Sequence, residues 1–460
     1  MRELFPDPSD PTSIHIVGVG GAGMSALAKL LSQLGHTVTG SDLKPGRAVD
    51  ALADVGVETW VGHRPEAMSA VDLVVASSAV PSRDPELTAA RDAGVTVWRR
   101  PRLFGAITAF MPAIGFSGTH GKTTSTAMAA AALRACDLDP SFIVGGEMTA
   151  LNTGAHLGSR ELFVVEADEA FGTFRHMDFV GLGVTNIESD HLDHYGTVSA
   201  LEEAFAQVAS RVEGPVVGCI DDAGVRRLSQ RTPVVGYGTS AQAVWQIVDL
   251  DTMPSRVSFT LRGPDGAHAV TVPRPGIHIA RDAAGVLALL GEMGFDLNCA
   301  AAGLARFGGV RRRFEIRAVV GGTTIVDDYA HHPTEVAATI EAARSGDVNR
   351  VWAVFQPHRY SRTADLAPEF GAPLALADRV VVTDVYPAGE RPQPGVSGKL
   401  VAEAARAAGA SVEYIPDLTD VPSRIAPQIE PGDVVLLLGA GDIFRISGLL
   451  ATALGEEQAP

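Results

Sequence analysis

At 460 residues, 46% hydrophobic and 20% charged, the chain is longer than one core usually organises and has the make-up of an ordinary globular protein. A formal net charge of −17, with no long run of Lys or Arg, excludes a surface that tracks nucleic acid or anionic lipid and leaves only local basic pockets for phosphate. Cys136, Cys219 and Cys299 stand far apart without CxxC spacing, which predicts neither a disulfide framework nor a zinc module and fits a reducing cytoplasm. The opening "MRELFPDPSDPTS" lacks the regions of a signal peptide and no apolar stretch reaches ~18 residues, so neither export nor membrane insertion is expected.

In chain order, residues 14–104 alternate apolar runs with helical periodicity: "IHIVGVG", "MSALAKLLSQLG", "TVTGSD", "AVDALADVG", "VDLVVASSAV", "PELTAARDAG", "VTVW". Strand and helix in repeated succession predict a parallel sheet with helices on both faces. A second strand start, "PAIGFSG", leads into the helix "TTSTAMAAAALRAC", and "ELFVVEADE" and "VGLGVTNIESDH" continue the alternation. Around residues 232–275, "VSFTLRG" and "HAVTVPRPG" read as antiparallel hairpins, followed by the helix "DAAGVLALLGEM". After "LARFGGVRRRFEI", read as a linker, "TTIVDD", "VWAVFQ", "RVVVTDV", "VEYIP" and "DVVLLLGAGD" are strands of a third unit. The expectation is an α/β protein of three domains: 1–105 and 309–460 Rossmann-like, and 106–308 an ATPase-like mixed sheet with a phosphate loop.

Gly18, Gly20, Gly21 and Gly23 lie between a strand and a helix, where glycines let backbone approach a phosphate met by helix amides, and Asp42 ends the next strand where a ribose hydroxyl would be held. A nicotinamide dinucleotide, another nucleotide diphosphate, or a tight turn without ligand all fit this cluster. "GTHGKTTST" is sharper: Gly118, Thr119, His120, Gly121 and Lys122 can wrap a polyphosphate, Lys122 can neutralise its oxygens, and Thr123, followed by Thr124, can sit on Mg²⁺. It departs from GxxxxGK[ST], with Phe116 at the first glycine position. Glu166, Asp168 and Glu169 end a strand beside that loop, where a hard cation needs oxygen ligands, and His191, Asp193 and His194 end another. Arg311, Arg312 and Arg313 form a basic triplet that reads as a solvated face. His358, Arg359 and Arg362 stand at a strand end, where arginines clamp carboxylate or phosphate. "DDYAHHPTE", residues 327–335, taken alone suggests a metal site.

Taken together and in this order, "GTHGKTT", "EADE", "NIESDHLDHYG", "DDYAHHPTEV", "QPHRYSRT" and "DVYPAGE" resemble the Mur ligases, in their alanine-adding branch. The resemblance implies a cell-wall enzyme of the cytoplasm, monomeric or homodimeric, without nucleic-acid partners, using ATP and Mg²⁺. It implies an amide between the lactyl carboxylate of UDP-N-acetylmuramate and L-alanine, formed through an acyl phosphate in peptidoglycan precursor synthesis. The first glycine cluster then becomes a UDP-sugar site, with Ser77 and Ser78 added to it. Lys122 would hold ATP phosphates, Thr123 and Glu166 one Mg²⁺, and His191 a second. Asp282, Arg313 and Asp328 would contact ATP. Tyr329, His331, His358, Arg359 and Arg362 would line the amino-acid pocket, with Lys122, His191, His331, Arg359 and Arg362 catalytic. His332 is left structural, and Pro333, Thr334 and Glu335 start a helix.

Three departures stand out. "HIARDA" puts Ile279 and Asp282 where related ligases carry asparagines; "EADEAF" puts Ala170 and Phe171 where a serine and an aspartate are frequent; and residues 195–214 hold no lysine that could be carbamylated, in keeping with the alanine-adding branch. Alternatives are a recycling ligase that attaches a preformed peptide to the same sugar nucleotide, a non-catalytic paralogue that binds it, and a nicotinamide-dependent oxidoreductase. Sites on three units that must meet predict domain closure.

Overall fold

The computed structural model describes residues 12–455 except 347; most of the N-terminal segment lies outside them. Three sheets follow one another. The first is wholly parallel, β1 (Ser13–Val17), β2 (Thr37–Asp42), β3 (Glu58–Val61), β4 (Leu73–Ala76) and β5 (Thr96–Arg99), in the order β3-β2-β1-β4-β5. β3, "ETWV", is absent from the sequence reading, being four residues with a single buried position. Residues Arg100–Phe110 form one helix through Gly105.

The second sheet holds β6 (Ala113–Ser117), β7 (Pro140–Met148), β8 (Thr153–His156), β9 (Ser159–Glu166), β10 (Gly181–Val184), β11 (Val216–Cys219), β12 (Val235–Gly238), β13 (Trp245–Met253), β14 (Arg256–Gly263) and β15 (Gly266–Val272). Its order is β15-β14-β13-β12-β11-β10-β6-β9-β7-β8, parallel from β13 to β7 and antiparallel between β7 and β8. β13, β14 and β15 are neighbours joined by two-residue connections, which only hairpins allow, as the turn residues predict.

The third sheet holds β16 (Glu315–Val320), β17 (Thr323–Asp328), β18 (Val351–Phe355), β19 (Arg379–Val382), β20 (Val412–Tyr414) and β21 (Val434–Leu438), in the order β16-β17-β21-β18-β19-β20. Only β16, whose first two residues read as the end of the linker in the sequence, runs antiparallel to its neighbour. Alternation sorts its core onto two faces: Val326, Ala353, Phe355, Leu436 and Leu438 on one, Ile325, Trp352, Val354, Val435 and Leu437 on the other. Burial on both faces is why β18 and β21 read as unbroken apolar runs.

By contact density the chain forms two compact units. One takes the described residues up to 249 with 259–270 and 281–308; the other takes 250–258, 271–280 and the described residues from 309 on. Among the described residues, no helix is long and apolar enough to cross a membrane.

One expectation is overturned. Cys136, at the end of the helix Lys122–Ala135, is bonded to Cys299 in the helix Leu297–Leu304, with Cα atoms 5.3 Å apart. The two helices pack so closely that a Cβ at Gly303 would overlap Ala132 and Ala135. A separation of 163 residues leaves no local spacing from which this pairing could be read. Cys219 is a buried free thiol.

Candidate active site

In the first unit the phosphate loop joins β6 to the helix Lys122–Ala135. Gly118 and Gly121 have φ of +132° and +84°, and a Cβ at either would strike Thr185 and Asn186 or the Asp282 carboxylate, so glycine is required at both. The loop is stitched to the segment after β10. The His120 amide donates to Asn186 Oδ1 at 2.8 Å, the Glu188 amide donates to Thr119 Oγ1 at 2.8 Å, and the Thr119 amide donates to the Asn186 carbonyl.

Lys122 Nζ donates to the Gly118 carbonyl at 2.6 Å and to Glu169 Oε1 at 2.8 Å. Burial opposes its charge, but the carboxylates of Glu169, Asp168 and Glu166 outweigh it and hold the ammonium protonated well above the ordinary lysine range. Thr123 Oγ1 donates to Glu166 Oε2 at 2.9 Å, and the same oxygen accepts from the Gly145 amide. His191, in the left-handed region at φ +55°, brings Nε2 to 3.7 Å from Glu169 Oε1. Lys122, Thr123, Glu166 and His191 thus meet in one cluster at a helix N-terminus, where amides and dipole favour anions. Thr124 is buried in the helix's first turn. Glu169 ties Lys122 to His191, and Asn186 orders the loop; sequence reasoning gave Glu169 no settled part and missed Asn186, since both act through partners distant in sequence. Arg100 Nη2 reaches Asp168 Oδ2 at 3.1 Å. Phe171, 54% exposed at φ +55°, lies edge-on to His194; the side chain of Asp193 is outside the described ones.

The glycine turn after β1 lies at the carboxyl edge of the first sheet, where open α/β sheets bind ligands. Asp42 Oδ2 accepts from the Gly20 amide at 2.9 Å, so this carboxylate shapes the turn. Gly18 has φ +79°, Gly23 leaves room for Arg100, and Gly21 caps the following helix. Ser77 and Ser78 follow β4, the Ser77 carbonyl accepting from Arg99 Nη1 at 3.1 Å.

In the second unit, the Asp328 oxygens accept from the Phe314 and Ala330 amides, each at 2.7 Å, which anchors the Arg311–Phe314 turn against β17. Arg312 and Arg313 both lie over the Tyr329 ring, 5.1 Å from its centroid. Arg312 also donates to the Gly439 carbonyl at 2.7 Å and approaches Asp327 at 3.4 Å, so this member of the triplet is structural and not part of a solvated face. Asp327 is pushed up to about 6 by burial, which outweighs Arg312.

Tyr329, His331, His358 and Tyr386 form a row of rings with successive centroids 5.3, 5.8 and 5.6 Å apart. His331 Nδ1 lies 2.9 Å from the Tyr329 carbonyl and 3.3 Å from Glu335 Oε2, both acceptors, which suit a proton on Nδ1. His358 is pushed down to about 3 by burial first, then by His331, Arg362 and Arg359, and so stays neutral. Arg359, at φ +69°, donates through Nε to Glu390 Oε1 at 2.7 Å, and Ser361 donates to the same carboxylate. Tyr386 and Glu390, from "DVYPAGE", complete the row and anchor the arginine; the motif was recognised without assigning either. His332 is the N-cap of the helix Pro333–Arg344, whose Glu335 accepts from the His331 and His332 amides, as expected.

The model of the Mur ligase family catalytic domain matches residues 13–111, that of the Mur ligase middle domain 116–290, and that of the Mur ligase glutamate ligase domain 312–441. The chain is 41% identical to a UDP-N-acetylmuramate–L-alanine ligase of Cutibacterium acnes, over 97% of each chain. Among solved structures, a UDP-N-acetylmuramate-alanine ligase of Thermotoga maritima aligns with a TM-score of 0.83 at 27% identity, covering 97% of this chain and 100% of that one. A murein peptide ligase of Psychrobacter arcticus aligns with a TM-score of 0.71 at 25% identity, covering 98% and 100%. Matched by three successive domain models and by relatives along nearly its whole length, this chain belongs to the Mur ligase family.

Proposed function

We infer that this protein joins UDP-N-acetylmuramate to L-alanine at the expense of ATP, in the synthesis of peptidoglycan precursors. The observation that carries the reading is the gathering of Lys122, Thr123, Glu166 and His191 at one helix end, in a chain 41% identical to an alanine-adding ligase over 97% of its length. Residues 1–105 take the UDP-sugar at Gly18, Gly20, Gly21, Gly23, Asp42, Ser77 and Ser78. Residues 106–308 take ATP at the loop Gly118–Thr124 with Asp282, and residues 309–460 take the amino acid, with Arg313 and Asp328 on the nucleotide. Such substrates favour the cytoplasm as the compartment of the reaction, although the Cys136–Cys299 bond is not a mark of a reducing one.

Lys122, held cationic by its carboxylate neighbours, neutralises charge on the transferring phosphoryl group. The hard oxygens of Thr123 and Glu166, in mutual contact, suit Mg²⁺, with His191 beside them for a second ion; bound there, the metal supplies charge stabilisation on phosphate oxygens. A lactyl carboxylate oxygen attacks the γ-phosphorus and ADP leaves. The resulting acyl phosphate is attacked by the alanine amine, and phosphate departs with that carboxylate oxygen. His331 takes up the amine's proton, with Glu335 steadying the imidazolium, while neutral His358 orients the amino acid without adding charge. Arg359, fixed by Glu390, and Arg362 face the carboxylate and oxyanion charge.

The test is phosphate release with each substrate omitted in turn. Release that requires ATP, UDP-N-acetylmuramate and L-alanine together is expected. Release that needs only two of them, or a tripeptide preferred to alanine, overturns the reading.

A further inference from the structure

A buried acid that the chemistry above does not use sits under the first sheet. The parallel register pairs His15 with Thr39 and Ser41 with Trp60, so the pleat turns these four side chains to one face. Over that face lies Glu86, in the first turn of the helix Pro85–Asp92, with no exposed surface. Its Oε2 accepts from Ser41 Oγ at 2.5 Å, and its Oε1 accepts from Trp60 Nε1 at 3.1 Å and from the Arg64 amide at 2.8 Å. His15, buried and stacked on Trp60 at 4.7 Å, brings Nε2 to 3.7 Å from Oε2. Burial opposes ionisation, but His15, Ser41 and the Arg64 amide outweigh it and hold the carboxyl down to about 2.

An ionised side chain without solvent is costly, and here every donor around it comes from β1, β2, β3 or the turn that follows β3. That turn, Gly62–Arg64, lies at the carboxyl edge shared with the glycine turn and Asp42. It carries exposed His63, whose Nδ1 lies 3.7 Å from Asp84 Oδ2 and 3.8 Å from Glu86 Oε2.

We propose that Glu86 is a positioning residue of the sugar-nucleotide site: by fixing the Gly62–Arg64 turn and His63, it sets one wall of the ligand edge of the first sheet. The proposal rests on the reading that this sheet binds the UDP-sugar. Glu86→Gln keeps the size and one acceptor but removes the charge that gathers three donors and faces His15. The KM for UDP-N-acetylmuramate should rise about tenfold while kcat and the KM values for ATP and alanine stay within about twofold. Calorimetry with UDP-N-acetylmuramate alone should show the same weakening, and His63→Ala combined with Glu86→Gln should be no worse than the more severe single variant, because both act through one turn. A folded Glu86→Gln enzyme with an unchanged KM for the sugar nucleotide, or with all three KM values raised alike, overturns the proposal. If Glu86→Gln does not fold, Ser41→Ala, which removes one donor, decides by the same KM split. Wild-type protein that binds ATP but not UDP-N-acetylmuramate contradicts the underlying reading, and the proposal falls with it.

Discussion

The phosphate loop of the first unit and the ring row of the second both collect nitrogen side chains at strand ends, yet they treat charge in opposite ways. Around Lys122 three carboxylates hold the ammonium cationic despite its burial. Around His358 burial and three neighbouring cationic or imidazole groups, His331, Arg362 and Arg359, keep the ring neutral. Phosphoryl transfer asks for fixed positive charge from the start, whereas amine attack asks for an uncharged group beside a proton acceptor. The neighbours of a side chain, more than its type, decide which task it serves.

The largest effect expected from breaking this contrast is at Lys122. Lys122→Ala should lower turnover by about 10³-fold or more and, by leaving Glu169 buried without its ammonium, reduce stability by about 3 kcal/mol. Adding Glu169→Gln should restore the denaturation midpoint but not turnover; recovery of both would mean that the ammonium is only structural. Next comes the disulfide, which belongs to the first unit. Closing a loop of 163 residues stabilises by up to about 5 kcal/mol in the chain-entropy account, so a reductant should lower the denaturation midpoint of wild type and leave Cys136→Ser unmoved. Equal midpoints for wild type with and without reductant would contradict this.

In the second unit, Glu390→Gln should loosen Arg359 and cost about tenfold in kcat/KM for alanine, with ATP affinity unchanged in binding measurements. The smallest effect is a pH dependence. An unfolded histidine titrates near 6.5 and the fold pushes His358 down to about 3, so between these values the unfolded chain binds the extra proton. Its contribution to stability is therefore complete above about pH 6.5 and is lost as pH falls toward 3. Melting curves of His358→Gln should show a shallower decline between pH 7 and pH 5 than wild type; parallel declines would place the ring's proton elsewhere.

Legibility in the sequence followed the range of the interaction. The apolar runs of β18 and β21 are readable because burial on both faces leaves no polar positions to blur them, whereas β17 shows only Ile325 and Val326 between threonines and aspartates. The glycine-lysine-threonine loop was readable because its chemistry is local. What escaped depends on contacts between distant residues: β3, whose Trp60 finds Glu86 only in the fold; the pairing of Glu169 with Lys122 across 47 residues; Asn186, across 66 from the loop it orders; and Cys136 with Cys299. Arg312 looked like a surface cation and is held by the Gly439 carbonyl and by aromatic rings. "DDYAHHPTE" suggested a metal site, yet Asp328 is occupied with backbone amides and His331 with the Tyr329 carbonyl and Glu335.

Oxygen tracing tests the central claim most directly. With UDP-N-acetylmuramate carrying ¹⁸O in its lactyl carboxylate, amide formation through an acyl phosphate must deliver one labelled oxygen to each phosphate released. Mass spectrometry of that phosphate should find the label in step with amide formed; unlabelled phosphate alongside amide product would contradict the account.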